Sequence, residues 1–323
     1  MTHLPISKSF FSAAALAHHI EGAYGLDDTR CHLISATMRD VYLITAGRQR
    51  YILYIYRSGI RTPEEIAAEW QFVAYLAAQG MPVAPAIPTR DGALLIGLSA
   101  PEGARYGVLT SFMAGESLRR RAGRQAVLTY GRHVATIHHL SDSLTLPLKR
   151  PVIELTALVE QAISALTVVL RDQPAVVADL QECAGRVRAL LPRVAGVAPE
   201  YGLIHGDVIR ANALVADGDA VSILDFDLCG YGWRAYDIAS YLCAIRGTAD
   251  EGEYADAFLA GYCEVRALSA WEQAALPLIE AARAIFALGV PAIEVDQWGS
   301  AYLYSFLDHE LAQLKRMMQR IVA

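Results

Sequence analysis

One short stretch of the chain, residues 202–228, constrains the fold more than any other part. It holds two short apolar runs on either side of Asp217-Gly218. An Asp-Gly dipeptide between two apolar runs is a strong signal for a β-hairpin. The segments on both sides of this stretch have the apolar periodicity of long helices. The sequence therefore predicts one hairpin inserted into a mainly helical region.

The predicted hairpin gathers polar side chains at one of its ends. With a two-residue turn at 217–218, Asn212 faces Ile223, and with a turn one residue later it faces Asp225. Asp207 lies on the loop just before the first strand. An amide oxygen beside a carboxylate makes a hard-oxygen site suited to Mg²⁺. We therefore expect a magnesium site at this end of the hairpin, with Asp207 placed to accept a proton from a nucleophile.

The whole chain divides into two parts with different patterns of apolar residues. Up to about Phe112 the apolar runs are short and rich in β-branched and aromatic residues, interrupted by one helix predicted from Pro63 to about Ala78. Beyond this part, long periodic segments predict helices, with the hairpin region as the exception. The prediction is an α+β fold of two lobes: a small β-rich N-terminal lobe over 1–112 and a larger, mainly helical C-terminal lobe over 113–323.

Composition limits the compartment and the partners. The 323-residue chain has a formal net charge of −6, which argues against a nucleic-acid-binding surface. The longest uncharged run, residues 70–89, contains three prolines and a glycine and is not predicted to span a membrane. The five cysteines are odd in number and include no C-x-x-C pair, which is typical of buried thiols in a reducing compartment. We expect a cytoplasmic monomer or homodimer that binds neither nucleic acid nor membranes.

The hairpin region also resembles a known catalytic loop. The sequences LIHGDVIRANAL and ILDFDLCGYGWRAYDIASYL are similar to the aminoglycoside phosphotransferase and choline kinase superfamily, and most to its type II homoserine kinase-like branch. The resemblance is specific over about 200–245 and weaker over 35–115 and 125–140. It implies a bilobal protein-kinase-like fold and transfer of a phosphoryl group from ATP, or another NTP, to a hydroxyl group.

The resemblance implies a role for each residue of the motif. Asp207 would orient and deprotonate the acceptor hydroxyl, and His205 would brace the loop around it. Asn212 and Asp225 would hold Mg²⁺ against the nucleotide phosphates. Asp237 would accept hydrogen bonds from the backbone of the catalytic loop.

Several residues carry less specific signals. Asp227 would either support a second metal ion or cap the turn that follows it. The adjacent His138 and His139 are predicted to pack in the core or face solvent, because neighbours on a helix point in different directions. The resemblance implies an acceptor pocket against the C-terminal helices, although a structural role is favoured for each candidate taken alone. The candidates are Glu280, Arg283, Trp298 and Tyr302.

The N-terminal lobe departs from the family pattern at its phosphate-binding cation. The strand RYILYIYR aligns with a family strand that carries Lys or Arg, but the expected cation falls on Tyr54. The glutamate that pairs with this cation is present as Glu69. We hypothesise that Arg39, at the tip of the loop 35–40, supplies the missing charge, since a guanidinium can bind phosphate bidentately. The alternatives are a solvated Arg39 with a weakly held nucleotide, or a different phosphoryl donor.

The connection between the two predicted lobes offers further nucleotide contacts. Ser111, Phe112 and Met113 lie there, and the last two are candidates to flank an adenine ring. Ordinary core packing is the alternative for both side chains. The hinge backbone would form the hydrogen bonds in either case.

The resulting prediction is an ATP- and Mg²⁺-dependent O-phosphotransferase that acts on a small hydroxylated metabolite or antibiotic. The twelve steps from Asp225 to Asp237 leave no room for a long activation segment, which disfavours a regulated protein kinase. Two alternatives stay open. One is a catalytically weakened kinase fold that binds nucleotide or metabolite, suggested by Tyr54, and the other is a bacterial stress-type Ser/Thr protein kinase.

Overall fold

The chain divides into two units that differ in secondary structure. The computed structural model describes residues 4, 6–144, 147–190, 200–293, 300–305 and 307–322. The first unit comprises Met1–Ala114 with Leu146–Arg150, and the second comprises Gly115–Thr145 with Pro151–Ala323. The first is built mainly on strands and the second mainly on helices, which confirms the predicted α+β class. The return of a short later segment to the first unit has no signal in the sequence.

The first unit is built on one antiparallel sheet of five strands, in the order β1-β2-β3-β5-β4. Its helix α1 packs on one face, where Leu16 and Ile20 join a core with Leu53 and Ile55 of strand β3. The elements are α1 (Ala13–Tyr24), β1 (Thr29–Ala36), β2 (Arg39–Ala46), β3 (Gln49–Tyr56), α2 (Pro63–Ala78), β4 (Ile96–Ala100) and β5 (Gly103–Ser111).

Helix α2 has the bounds that the sequence predicts. Its N-terminus is a capping box, in which the Thr62 side chain accepts from the Glu65 N–H and the Glu65 carboxylate accepts from the Thr62 N–H. Pro63 occupies the first turn, where its missing N–H costs no helical hydrogen bond. The buried side of the helix carries Glu69 and Trp70 among apolar residues. The local sequence therefore fixes where α2 begins and so where Glu69 lies.

The second unit is mainly helical. Its most extensive helix packing joins Arg124–Asp142 to Glu251–Cys263, and Leu155–Val169 to Ala270–Ile293. The first pair approaches so closely that a Cβ on Gly131 would collide with the Phe258 carbonyl, and one on Gly261 with the Leu128 carbonyl. The elements are β6 (Glu116–Ser117), α3 (Arg124–Asp142), α4 (Leu155–Val169), α5 (Pro174–Leu190), β7 (Tyr201–Ile204), β8 (Ala213–Val215), β9 (Val221–Ile223), β10 (Gly230–Trp233), α6 (Arg234–Ile245), α7 (Glu251–Cys263), α8 (Ala270–Ile293), α9 (Ser300–Tyr304) and α10 (Leu307–Val322).

The predicted hairpin is present as β8 and β9, but its turn is one residue longer than predicted. Ala213 pairs with Ile223, and the Leu224 N–H donates to the Asn212 carbonyl. Asn212 thus faces Leu224 rather than either residue predicted. The reason is Asp219, which adopts a left-handed conformation (φ 57°) beside Gly218 and so extends the loop to three residues.

Helix α8 is long and apolar enough, by length and composition, to cross a membrane. Most of it is buried inside the second unit, where Ala275, Ile279 and Ile285 belong to the hydrophobic core. A buried core helix can have the same length and apolar composition, and the packing of α8 accounts for its composition.

Candidate active site

Asp237 at the start of α6 holds the backbone of the loop that follows β7. Its Oδ2 accepts from the His205 N–H and its Oδ1 from the Gly206 N–H, each at 2.8 Å. Gly206 has φ 83°, and a Cβ there would collide with the Leu228 carbonyl. The hydrogen bonds expected between Asp237 and the loop are therefore present, and glycine is required at the position between His205 and Asp207.

A buried histidine extends this support into the helical core. His138 Nε2 lies 2.9 Å from Asp237 Oδ2, and its Nδ1 lies 2.8 Å from the Tyr262 hydroxyl. Burial lowers the pKa of His138, despite its hydrogen bond to Asp237, so the ring is neutral and donates from Nε2. Burial alone would raise the pKa of Asp237, but the His138 bond and the loop N–H groups lower it below its usual value. The sequence left core packing or a solvent-facing position open for His138, and did not predict this contact.

His205 connects the loop that follows β7 to the segment that carries Asp225. Its Nε2 donates to the Leu224 carbonyl at 3.0 Å, and its Nδ1 accepts from the Asp207 N–H at 3.2 Å. Its ring also contacts the Phe226 ring, with centroids 4.5 Å apart. These contacts join the loop to the segment 224–226, and the role of His205 as a brace of the loop stays a prediction.

Asp207 is held by two side chains from different elements. Its Oδ1 accepts from Arg283 of α8 at 3.0 Å, and its Oδ2 accepts from the Asn212 amide at 2.8 Å. The side chain retains 20% exposure. Burial raises the pKa of Asp207, Arg283 opposes that shift, and the nearby Asp225 carboxylate adds to it. A carboxylate with a raised pKa that is fixed in position and still accessible is suited to accept a proton.

Asn212 and Asp225 offer oxygen atoms suited to a metal ion. The Asn212 amide nitrogen is committed to Asp207, with bonds of 2.8 Å to Oδ2 and 3.0 Å to the carbonyl, so its amide oxygen is the atom left to accept. Asp225 has φ 66°, a left-handed conformation that is strained for a residue other than glycine and occurs at functional sites. Mg²⁺ is commonly held by one or two protein oxygens together with substrate phosphates. These two residues fit such a site.

The remaining acidic groups do not define a further metal centre. Among the residues that the structure describes, no cluster of three or more His, Cys, Asp or Glu side chains could hold a metal ion. Asp227 is buried, with 7% exposure. Its assignment to a second metal ion or to a turn stays a prediction.

In the first unit, Arg39 pairs with Glu69. Arg39 NH1 lies 3.2 Å from Glu69 Oε1 and donates to the Tyr56 hydroxyl at 3.1 Å. The guanidinium also lies 4.1 Å from the centre of the Tyr54 ring. Arg39 is the first residue of β2 rather than the tip of the loop, and only 4% of it is exposed. The alternative of a solvated Arg39 is therefore wrong.

A second arginine approaches the same carboxylate. Arg150 NH1 lies 3.8 Å from Glu69 Oε2 and donates to the Glu65 carbonyl at 3.0 Å. Arg150 ends the short segment that returns to the first unit. Glu69 is fully buried, so these two cations compensate a charge that water does not reach.

A separate buried ion cluster fixes the turn between β1 and β2. Asp40 lies 2.7 Å from Arg105 NH2 and 2.9 Å from Lys8 Nζ. Lys8 also donates to the carbonyl of Ala36, the last residue of β1, at 2.9 Å. The single lysine that precedes the sheet is thus part of the support of this turn, and nothing in the sequence pattern indicated this role.

The residues expected at the hinge lie at the end of β5 and just beyond it. Ser111 is the last residue of the strand and is exposed. Phe112 is half-buried, and its ring centre lies 3.9 Å from the Arg50 guanidinium. Met113 is also half-buried. Their contacts with a nucleotide stay predictions.

The second unit contains a cavity of about 350 Å³ that lies one side chain away from Asp207. That side chain is Arg283, which binds Asp207 and lines the cavity together with Ile209, from the same loop as Asp207, and Glu310 of α10. Glu280 does not line the cavity but forms an ion pair with Arg246, which does. Trp298 and the side chain of Tyr302, the other acceptor-pocket candidates, lie outside the described residues.

Solved structures with the same fold include small-molecule kinases. The microcompartment-associated aminopropanol kinase matches with a TM-score of 0.79 and 22% identity, over 95% of this chain and 98% of that one. The amicoumacin kinase hAmiN, in complex with AMP-PNP, Ca²⁺ and Ami, matches with a TM-score of 0.76 and 19% identity, over 95% and 94% of the two chains. This chain therefore has the protein-kinase-like fold that its sequence predicts.

Sequence comparison defines the family. Residues 33–276 match the profile of the phosphotransferase enzyme family, APH. An uncharacterized protein of Deinococcus radiodurans is 33% identical over 305 residues, which is 93% of this chain and 87% of that one. Homoserine kinase of Rhizobium etli (strain CIAT 652) is 27% identical over 256 residues, covering 76% and 74%. The chain belongs to the phosphotransferase enzyme family, which confirms the predicted superfamily, its homoserine kinase-like branch and the class of enzyme.

Proposed function

We propose that this protein transfers the γ-phosphoryl group of ATP to a hydroxyl group of a small molecule, in a Mg²⁺-dependent reaction. The observation that carries the proposal is the double anchoring of Asp207 by Arg283 and Asn212. Because both of its oxygens are held by hydrogen bonds, this carboxylate would face an acceptor hydroxyl in one fixed orientation. Positioning of this kind is the main contribution of the protein to phosphoryl transfer.

Asp207 would act as the base. The acceptor oxygen forms a bond to the γ-phosphorus, the bond from that phosphorus to the β–γ bridging oxygen breaks, and the hydroxyl proton passes to Asp207. ADP leaves with the bridging oxygen. The pKa of Asp207, which burial raises, supports this role because a stronger base takes the proton more readily.

Asn212 and Asp225 would hold the metal ion. When bound, Mg²⁺ would neutralise charge on the phosphate oxygens. The chain itself contributes the orientation of the two ligands: the Asn212 amide is fixed by Asp207, and the Leu224 N–H ties the two strands beside Asp225. The AMP-PNP and Ca²⁺ in the amicoumacin kinase structure support use of a nucleotide and a divalent cation.

The nucleotide phosphates would be bound by Arg39, with Glu69 as its partner and Tyr54 beside it. The buried ion pair of 3.2 Å supports this assignment, because it supplies the cation–carboxylate pair that the sequence of β3 lacks. The hinge residues Ser111–Met113 would contact the base. The intact Arg39–Glu69 ion pair also argues against the alternative of a catalytically weakened kinase fold.

The acceptor would occupy the cavity next to Asp207 in the second unit. A volume of about 350 Å³ suits a small molecule rather than a protein segment. The kinases named above act on small hydroxylated compounds according to their names, which supports a metabolite or an antibiotic as acceptor. A protein without nucleic-acid or membrane partners that uses ATP in this way would work in the cytoplasm.

The test is ADP formation from Mg·ATP over a panel of amino alcohols, homoserine, aminoglycosides, nucleosides and macrolides. We expect turnover with at least one acceptor, and a loss of about 10²- to 10⁴-fold in kcat for Asp207→Asn, the range for removal of a general base. Asp217→Asn in the exposed hairpin turn is the matched control and should retain full activity. Tight nucleotide binding without turnover on any acceptor would instead indicate a binding protein.

A further inference from the structure

Strand β3 carries a tyrosine where a phosphate-binding cation is expected, and that tyrosine supports a cation from the next strand. The Arg39 guanidinium lies 4.1 Å from the centre of the Tyr54 ring. We propose that Tyr54 is a positioning residue, whose ring holds the Arg39 guanidinium beside Glu69 so that β2 rather than β3 supplies the cation for the nucleotide phosphates. This proposal rests on the proposed function and adds a residue to it.

The register of the sheet places the two side chains on one face. Arg39 pairs with Tyr56 and Val41 pairs with Tyr54 across β2 and β3. Directly opposed residues in an antiparallel pair point to the same face, and diagonal neighbours lie within reach of long side chains. Leu53 and Ile55 point to the other face, where they pack with α1. Arg39 can therefore extend over Tyr54 without any distortion of the sheet.

Two tyrosines contact the guanidinium on this face, and Trp70 of α2 contacts both tyrosines. Tyr56 accepts from Arg39 NH1 at 3.1 Å and from Trp70 Nε1 at 2.9 Å. The rings of Tyr54 and Trp70 have centroids 5.6 Å apart, so Trp70 in turn supports the ring under Arg39. The guanidinium is nearly inaccessible to water, and a cation–π contact is strongest at such a desolvated site.

Electrostatics makes positions 39 and 54 mutually dependent. A cation at position 54 would replace the ring that now lies 4.1 Å from the Arg39 guanidinium, and two positive charges close together repel each other strongly in a buried site. An aromatic ring at position 54 instead attracts the guanidinium. An uncharged aromatic residue at position 54 therefore favours the pairing of Arg39 with Glu69 at 3.2 Å.

The test is the dissociation constant of Mg·AMP-PNP, measured by calorimetry on the full chain, because this readout does not need an acceptor. We expect Tyr54→Leu to bind about three- to thirtyfold more weakly, the range for a cation–π contact. Tyr54→Phe keeps the ring and should rescue affinity to within about twofold. Tyr51→Leu is the matched control, since it removes a tyrosine from the opposite face of the same strand. Wild-type affinity in Tyr54→Leu would overturn the proposal.

A second experiment moves the cation from position 39 to position 54. Arg39→Met should bind nucleotide weakly, and Tyr54→Lys should also bind weakly because its ammonium meets Arg39. The double variant with both changes should bind at least about tenfold more tightly than Arg39→Met, a coupling that additive effects do not produce. A double variant no better than Arg39→Met would overturn the proposal.

Two further results separate this proposal from the function on which it rests. If wild-type protein binds no Mg·AMP-PNP, both are wrong, whereas wild-type binding that Tyr54→Leu leaves unchanged removes only the role of Tyr54. Far-UV circular dichroism and thermal melting establish that each variant is folded. If Arg39→Met does not fold, the comparison of Tyr54→Leu with Tyr54→Phe decides the question.

Discussion

Arg283 on helix α8 donates a hydrogen bond to Asp207 on the loop that follows β7, with 3.0 Å between NH2 and Oδ1. Arg283 Nε also donates to the Ser240 hydroxyl of α6 at 3.2 Å. The bond therefore joins the proposed base to two helices of the core. It also places a permanent positive charge beside a carboxylate whose pKa burial raises.

The first prediction concerns the pH dependence of catalysis. Because Arg283 lowers the pKa of Asp207, Arg283→Met should raise that pKa further, so that a higher pH is needed to ionise the base. The acidic limb of the kcat/KM profile should move to higher pH. Loss of positioning should also reduce kcat about ten- to hundredfold. The measurement is a pH–rate profile from pH 5 to 9.

Arg246→Met is the control for this profile, since Arg246 lines the same cavity but binds Glu280 instead of Asp207. It should change the KM of the acceptor and leave the acidic limb in place. An Arg283→Met profile with the wild-type limb would contradict the link between the two residues.

The second prediction concerns the metal site. Asp225→Asn keeps the size of the side chain, and asparagine tolerates the left-handed conformation of this position (φ 66°). It removes a charged oxygen ligand, so the Mg²⁺ concentration for half-maximal activity should rise at least about tenfold, the lower end of the losses seen at metal-supporting residues. Asp219→Asn in the hairpin turn has a similar φ of 57° and should leave the requirement unchanged. Equal Mg²⁺ requirements in both variants would exclude Asp225 as a ligand.

The third prediction concerns stability at acidic pH. Burial lowers the pKa of His133 to about 4, and it lowers the pKa of His138 as well. The unfolded chain binds protons at these sites below about pH 6.5 while the folded chain does not, so stability falls as the pH decreases from 6.5. For His133 the loss reaches about 3 kcal/mol at pH 4, at 1.36 kcal/mol per pKa unit.

His133→Phe should flatten this dependence, and urea unfolding between pH 4 and 8 measures it. His139→Phe is the control, because His139 is an exposed residue of the same helix. A wild-type slope in His133→Phe would show that this ring is not neutral in the folded protein.

The fourth prediction concerns the ion cluster under the β1–β2 turn. Arg105→Met removes the 2.7 Å partner of the fully buried Asp40. Loss of one partner of a buried ion pair destabilises a protein by about 3–5 kcal/mol, and Lys8 should offset part of that loss. Chemical denaturation should show the decrease, whereas Arg48→Met at the exposed β2–β3 turn should have no effect. A change of less than about 1 kcal/mol in Arg105→Met would contradict the assignment.

Local sequence signals predicted the hairpin, helix α2 and the grouping of Asp207, Asn212 and Asp225 at one end of the hairpin. Each depends on residues close together in the chain, where turn chemistry and capping act directly. The length of the turn was not predictable, because aspartate is one of the few residues besides glycine that occasionally adopt a left-handed conformation. Asp219 does so and shifts the register by one residue.

Contacts between elements far apart in the sequence could not be predicted from the sequence. Arg283 lies 76 positions from Asp207, and His138 lies 99 positions from Asp237, on helices whose packing a single sequence does not specify. Arg283 was a candidate for the acceptor pocket, but its bond to the base depends on the rotation of α8. The sequence pointed to Arg39 as a phosphate-binding residue only indirectly, because position 54 lacks the expected cation.

The central claim is the transfer of phosphate to a hydroxyl group with Asp207 as base, and ³¹P NMR of the reaction mixture tests it most directly. With Mg·ATP and the best acceptor of the panel, wild-type protein should produce ADP and a phosphate monoester in equal amounts. Asp207→Asn should produce neither at a comparable rate. ADP that accumulates with inorganic phosphate instead of a monoester, or a monoester formed equally fast by Asp207→Asn, would contradict the account.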